Sequence, residues 1–436
     1  LYLICQESFS TNKSPGWFKM QIIMPSPSVI PRRASSARAR ANTTKVLRAI
    51  FRNAVDQGLD ELSIGEVARL SGLTTGAIYG RYEDSDEMAI ELWQTVIRQP
   101  FKARLQRSVE FMLATQQNPQ PANKLKVSAE NALETITKDL ESPDEIAKLG
   151  AEFLVISRRN QTVGEVVIPE VTDWFSEFGL ANANDPIANA TIVIGLSASI
   201  GTALRTFVLK SNPNWMTIAN GLREAAAKAS PVKIPINSPP PKWVEPETEN
   251  PIRSALIDAV AEVVAKSGFA NATISRIVRR AGVTNGSLYN FYKDKEALTD
   301  DAMQIFLNLS SDVNRESNRR AANDLRVDRG LNDSFVMGLL PSRRTWLDFR
   351  LECLIASRNH LPTRRKFKQS LERSRDDLMS TMPDLPIEVI NLISSGEQAV
   401  GIGFTVLEPY TSLLRKCDFY SIMAKLSEQN HLLRLS

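Results

Sequence analysis

The chain has 436 residues, 43% of them hydrophobic and 23% charged, with a formal net charge of +4. That length is too great for one ordinary core, the composition is that of a soluble globular protein, and so mild a charge does not by itself demand a nucleic-acid partner. Two histidines and the scattered Cys5, Cys353 and Cys417 offer no His-based metal site, zinc knuckle, disulfide framework or Ser-His-Asp triad, so no catalytic residue, metal or cofactor is expected.

The opening "LYLICQESF" has too short an apolar run for a signal peptide, and because the first residue is Leu, Met20 and Met24 stand as alternative translation starts. Residues 1–42 read as a disordered arm. Within and just beyond it, "PRRASSARARANTTK" places Arg32, Arg33, Arg38, Arg40 and Lys45 together without an acid. Such an arm can follow phosphates or enter a minor groove, and the plainer alternative is a solvated tail.

From residue 43 onward helical periodicity dominates. Val46, Leu47, Ile50, Phe51, Ala54 and Val55 form one apolar stripe, and Gly58 stops it. A short second helix is expected to open at Ser63, with Glu66 at capping-box spacing, and to stop at Gly72. After a tight turn Thr74 caps a third helix, "TGAIYGRY". A longer helix followed by two short ones around a Gly-containing turn describes a helix-turn-helix, here residues 43–88, with the third helix as the recognition helix. Residues 89–230 read as a helical regulatory domain. Its uncharged stretch from Pro186 to Leu204 carries five Ser, Thr and Asn side chains, so it reads as a buried helix rather than a membrane span.

The pattern then returns. Pro231 to Glu249 holds six prolines and reads as an extended strap able to reach on the order of 60 Å. Beyond it, placing Gly58 over Gly268 brings Ile64 onto Ile274, Arg69 onto Arg279, Gly72 onto Gly282, Thr74 onto Thr284, Gly76 onto Gly286, Tyr79 onto Tyr289 and Tyr82 onto Tyr292 without a gap. Placing Glu152 over Glu352 likewise aligns "AEFLVISRRN" with "LECLIASRNH". Residues 250–298 therefore read as a second helix-turn-helix, capped at Thr273 and Thr284, and residues 299–436 as a second regulatory domain.

The chemistry of the third helices suits DNA. A capping Thr and first-turn N–H groups can hold a phosphate, and Gly76 and Gly286 let the backbone approach closely. Tyr79 and Tyr289 join an apolar ring to a hydroxyl that reaches a phosphate, or else are core; Tyr82 and Tyr292 read as core. The candidate DNA-binding residues are Thr74, Thr75, Gly76, Ala77, Tyr79, Gly80 and Arg81 in the first copy, Thr284, Asn285, Gly286, Ser287, Tyr289, Asn290 and Lys295 in the second, and Arg32, Arg33, Arg38 and Arg40 of the arm. Glu152, Ser157 and Arg158, with Glu352, Ser357 and Arg358, are expected to form a polar network. Trp174, Phe175, Phe178, Trp346, Phe349 and Phe367 are expected in the core or a pocket wall.

The runs from Ile64 to Met88 and from Ile274 to Leu298 resemble the DNA-binding domain of the TetR (tetracycline repressor) family, with its three-helix head, recognition-helix tyrosine and Lys-Glu pair opening the fourth helix. "IAKLGAEFLVISRRN" and "RTWLDFRLECLIASRNH" resemble the middle helices of its ligand-binding domain. The resemblance spans all but the arm and the linker. It implies an all-α fold of two tandem units, each a head plus a ligand-binding and dimerisation domain. Ala188 to Leu209 with Trp215 to Ala229, and Glu388 to Leu407 with Leu413 to Leu426, are expected to pack into one intramolecular four-helix bundle, with Gly195, Ala198, Gly201, Ala203, Gly396, Gly401 and Gly403 allowing close approach. The chain would then be a monomer acting as a covalent pseudo-dimer. The implied partners are a double-stranded DNA operator and an unknown small-molecule effector, with no membrane, in the bacterial cytoplasm at the nucleoid. The implied function is transcriptional regulation, of the repressor kind and not enzymatic; the alternative is a ligand-binding or protein-interaction module with weakened DNA binding. One departure stands out: Glu83, Asp84, Ser85, Asp86 and Glu87 lie where the second copy has Lys293, Asp294, Lys295, Glu296 and Ala297, with Arg81 in place of Phe291. Acids there favour a helix N-terminus but repel a phosphate.

Overall fold

A computed structural model describes residues 37–114, 125–180, 184–233, 243, 246–323 and 327–433. Every regular element among them is a helix. Of the described residues, 45–433 belong to one compact unit and 37–44 to another.

The first half runs through α1 (Ala37–Gln57), α2 (Ile64–Ser71), α3 (Thr75–Tyr79), α4 (Ser85–Leu92), α5 (Arg98–Leu113), α6 (Leu125–Glu141), α7 (Glu145–Ile156), α8 (Gln161–Glu177), α9 (Pro186–Arg205) and α10 (Trp215–Lys228). The second half follows the same order with α11 (Pro251–Ser267), α12 (Ile274–Ala281), α13 (Asn285–Tyr289), α14 (Lys295–Asn323), α15 (Val327–Gly338), α16 (Arg344–Ala356), α17 (Leu361–Thr381), α18 (Ile387–Leu407) and α19 (Phe419–Leu433). The single helix α14 takes the place of α4 and α5. In the first half a π-helical turn, Trp93–Ile97, joins those two just before Pro100, whose missing N–H cannot continue the α-helical ladder.

Helix α1 begins at Ala37, inside the segment expected to be a disordered arm. "ARARAN" is rich in strong helix formers and lies beyond the last proline of that segment, so helix propagates back into it. Its inward stripe is the expected one: Val46, Leu47, Ile50 and Ala54 are buried. Helices α2 and α12 stop at Gly72 and Gly282, both left-handed with φ near 70°.

Helix α9, uncharged up to its last residue Arg205, is long and apolar enough to cross a membrane, yet 89% of its most apolar window is buried inside the protein. It packs on α5, α7 and above all α18. Helices α10 and α19 pack on each other and on this pair, completing a four-helix bundle. Where α9 meets α18 the backbones touch. A methyl group on Gly201 would fall inside the Ala399 carbonyl, and one on Gly403 inside the Ser197 carbonyl. Gly401, expected to share this role, faces open space. Leu413 does not begin the last helix either; it sits in a 3-10 turn, Ser412–Lys416, and α19 starts at Phe419.

Of the strap, residues 231–233, 243 and 246–249 are described. Val232 N–H donates to Ser421 Oγ at 2.9 Å, and Trp243 is buried with the Arg343 guanidinium 4.6 Å from its ring. Trp174, Phe175, Trp346, Phe349 and Phe367 are buried as expected.

Candidate nucleic-acid interface

Each half presents a three-helix head: α1 to α3 and α11 to α13. The third helix is held by one buried aliphatic residue, Ile78 or Leu288, and by a cap: Thr74 Oγ1 accepts Ala77 N–H and Thr284 Oγ1 accepts Ser287 N–H, each at 3.2 Å. The tyrosines divide as their positions dictate. Tyr82 and Tyr292 are buried and donate to Glu91 and Asp301, the latter at 2.6 Å, and burial beside that carboxylate pushes Tyr292 up to about 12. Tyr79 and Tyr289 instead turn outward, 62% and 55% exposed, although large aromatic side chains are ordinarily kept from water. Around them Thr74, Thr75, Gly76, Ala77, Gly80 and Arg81 are exposed in the first head, and Thr284, Asn285, Gly286 and Asn290 in the second, with Ser287 half-buried.

One local expectation fails. Ser63 makes no side-chain cap; its own N–H is taken by Asn53 Oδ1 at 3.1 Å, and Glu66 pairs with Arg69 instead of reaching back. Thr273 does cap α12, through Arg276 N–H. Lys295, expected at a phosphate, is turned inward: its Nζ donates to the Phe269 carbonyl at 3.0 Å, lies 5.1 Å from the Phe269 ring, and leaves the side chain 16% exposed. The exposed cation of that corner is Lys293. Sequence reasoning also passed over α12, whose "ISRIVRRA" carries Arg276, Arg279 and Arg280 with no acid, against Glu66 and Arg69 in α2.

The acids of the first head have local work. Asp84 Oδ1 accepts the N–H groups of Asp86 and Glu87 at 2.9 and 3.0 Å, Glu87 accepts Glu83 N–H at 2.7 Å, and Asp86 accepts from Asn160 at 2.9 Å. They satisfy the N-terminus of α4 and tie it to α8. Of the arm, Arg40 is exposed on α1 and Arg38 lies on the same helix, whereas Arg32 and Arg33 fall outside the described residues.

Behind the heads the expected polar network is present and crosses between the halves. Arg358 donates to the fully buried Glu152, whose Oε1 also accepts Leu59 N–H at 2.8 Å, and to the Ala54 carbonyl at 3.2 Å. Asn359 donates to the carbonyls of Asp56 and Gln57. In the other direction Arg159 donates to both oxygens of Glu352, at 2.7 and 2.9 Å, and to Asp60 at 2.5 Å. Arg158 pairs with Asp348, and Ser157 Oγ lies 2.5 Å from Tyr410 Oη. Gly58 and Gly268, with φ of 101° and 81°, sit directly on Arg358 and Arg159. The turn after the first helix of each head thus rests on an arginine of the opposite half or its bridging partner. Arg159, Asp60 and Asp348 were not singled out by sequence; the doubled basic pair in "SRRN" was the available signal.

The family profile described as bacterial regulatory proteins, tetR family, matches residues 256–302, the second head and the start of α14. The chain is 35% identical over 124 residues to an HTH-type transcriptional regulator BetI of Ectopseudomonas mendocina, covering 27% of this chain and 60% of the relative. It is 36% identical over 104 residues to the BetI of Pseudomonas aeruginosa, 22% and 52% of the two chains, and 30% identical over 116 residues to that of Stenotrophomonas maltophilia, 25% and 56%. The chain therefore spans 60% or less of each of these relatives. A protein of which 124 residues make 60% is itself shorter than half of the 436 residues here.

Proposed function

We propose that the chain is a TetR-family regulator, on the family profile matched by its second head and its likeness to BetI proteins, and that it is a sequence-specific DNA-binding transcriptional regulator, a ligand-responsive repressor that grips its operator with two unequal heads of a single chain. The carrying observation is the pair of helix-turn-helix heads, each exposing a tyrosine, 62% and 55%, and a polar third-helix face, where most of the other described large aromatics are buried or half-buried. The intramolecular bundle of α9, α10, α18 and α19 supports the reading of two tandem units acting as a pseudo-dimer, since it occupies within one chain the surface a partner subunit would need. The operator is double-stranded DNA in the cytoplasm, the effector a small molecule, and the divisions at 43–88, 89–230, 250–298 and 299–436 are the corresponding domains.

The two third-helix faces differ: Thr75, Ala77, Gly80 and Arg81 in one, Asn285, Ser287, Asn290 and Phe291 in the other. Operator symmetry mirrors protein symmetry, so two unlike heads call for two unlike half-sites. Retention of the full chain on duplexes drawn from its own genomic neighbourhood, at moderate salt and against unrelated duplex competitor, tests the reading. Binding that competitor DNA abolishes as easily as it abolishes random binding would contradict it.

A further inference from the structure

The second half holds a pocket of about 400 Å³, open in part to solvent and lined by α14 to α19 on one side and by α9 and α10 of the first half on the other. This is the size of a small-ligand pocket. Much of its wall is apolar, with Phe335, Leu347, Phe367 and Phe404 among the lining side chains. Three guanidinium groups open on it: Arg205 from α9, Arg343 just before α16, and Arg350 from α16.

None of the three has a carboxylate partner among the described residues. Arg205 is held by the neutral oxygens of Asn212 and Gln398, each at 2.9 Å, and its Nε is buried without a partner. Arg343 is 6% exposed, lies over the Trp243 ring, makes its one side-chain hydrogen bond among the described residues to Ser310 Oγ at 3.4 Å, and also has an unpartnered buried Nε. Arg350 makes no hydrogen bond or ion pair with any described residue. Glu397, the one acid among the described residues of this wall, has an interaction of its own. Burial pushes Arg343 down to about 9, and Arg205 and Arg350 to about 10, and the charge of Arg350 adds to the strain on Arg343. Cations held at an apolar wall without a counter-charge among the described residues are costly, and a fold that keeps three of them around one cavity, Arg205 and Arg343 buried and Arg350 half-buried, is suited to an anion.

The first half does not repeat the arrangement. Gly150 stands where the second half has Arg350, and the Phe101 ring lies against it so closely that a side chain there would collide. Pro143 and Thr405 stand at the positions related to Arg343 and Arg205.

We propose that this cavity receives a small amphipathic anion, a single carboxylate on an apolar body, with Arg350 and Arg343 holding the carboxylate and the aromatic wall holding the rest, at one site per chain. It deepens the reading of the chain as a ligand-responsive regulator and rests on that reading only for its consequence at DNA. Arg205 brings the first half to the same ligand, so occupancy acts on the α9–α18 seam.

Calorimetric titration of the full chain with dodecanoate and dodecyltrimethylammonium below their micellar concentrations, and with dodecan-1-ol below its solubility limit, tests the proposal. Dodecanoate should bind once per chain and about tenfold or more tighter than the other two. Arg350→Met should remove that preference, and Arg350→Lys, which keeps the charge, should retain most of it. Equal binding of the three probes, preference for the ammonium, two equivalent sites, or no binding of dodecanoate would overturn it. If Arg350→Met does not fold, an Arg350→Lys protein with no preference for the carboxylate overturns it equally. Dodecanoate binding that leaves DNA retention unchanged would leave this site standing and contradict the regulatory reading instead.

Discussion

At the scale of single residues the two lysines after the second recognition helix separate support from contact. Lys295 ties α14 to the Phe269 carbonyl, whereas Lys293 is 83% exposed. Lys293→Ala should flatten the salt dependence of DNA binding by about 0.9 in log–log slope, one phosphate contact. Lys295→Ala should instead lower the denaturation midpoint and leave the slope alone. A slope change in the Lys295 variant at unchanged stability would reverse this assignment. Arg81 favours guanine and Asn285 adenine through bidentate contacts, so Arg81→Ala should relax one half-site and Asn285→Ala the other, each at about 1–3 kcal/mol. Competition binding with half-site variants reads this directly; equal effects on both halves would contradict it.

Glu352 belongs to the same scale. Burial, with Asp60 and Asp348 nearby, raises it to about 7 despite the two hydrogen bonds from Arg159. An unfolded glutamate titrates near about 4.3, so the folded chain holds an extra proton between those values. The stability this contributes is fully present below the unfolded value and is lost as pH rises toward and through about 7. Urea midpoints at a series of pH values should fall over that window in the wild type and stay flatter in Glu352→Gln. Parallel profiles would show that the carboxyl does not titrate there.

At the scale of elements the glycines of the bundle give opposite outcomes. Gly201 lies against the Ala399 carbonyl, so Gly201→Ala should destabilise by about 1–3 kcal/mol or more through overpacking. Gly401 faces open space in the middle of α18, so Gly401→Ala should be neutral or stabilising by roughly 0.5–1 kcal/mol. Denaturant melts of the two variants check both signs. The contrast also marks what was legible in the sequence. The apolar stripes, the stops at Gly72 and Gly282 and the threonine caps could be read because each is a local rule. Which small residue makes the crossing could not, because that depends on how α9 lies on α18. Ser63 misled for the same reason: its partner Asn53 comes from α1, and the Phe269 carbonyl that Lys295 meets comes from the turn after α11, so neither contact is set by local sequence. The cross-half ion pairs were legible only as polar positions in an apolar helix.

At the scale of the whole molecule the duplication explains both the likeness of the halves and their divergence. On the proposed pseudo-dimer reading, α9 and α10 packed on α18 and α19 within one chain take the place of a second copy, and light scattering should give 48.5 kDa at micromolar concentration. A stable two-chain species there would count against the intramolecular bundle. With both heads in one chain, each is free to change alone: α12 has become basic, the α4 start acidic, and the two recognition faces share little beyond Thr, Gly and Tyr.

The most direct test of that account is selection of bound sequences from random duplex DNA by the full chain, with the protein-to-DNA ratio of the selected complex measured. The account predicts one chain per site on two unlike half-sites whose centres lie roughly 34–36 Å or more apart. Recovery of a perfect inverted repeat, or of a site filled by two chains, would contradict it.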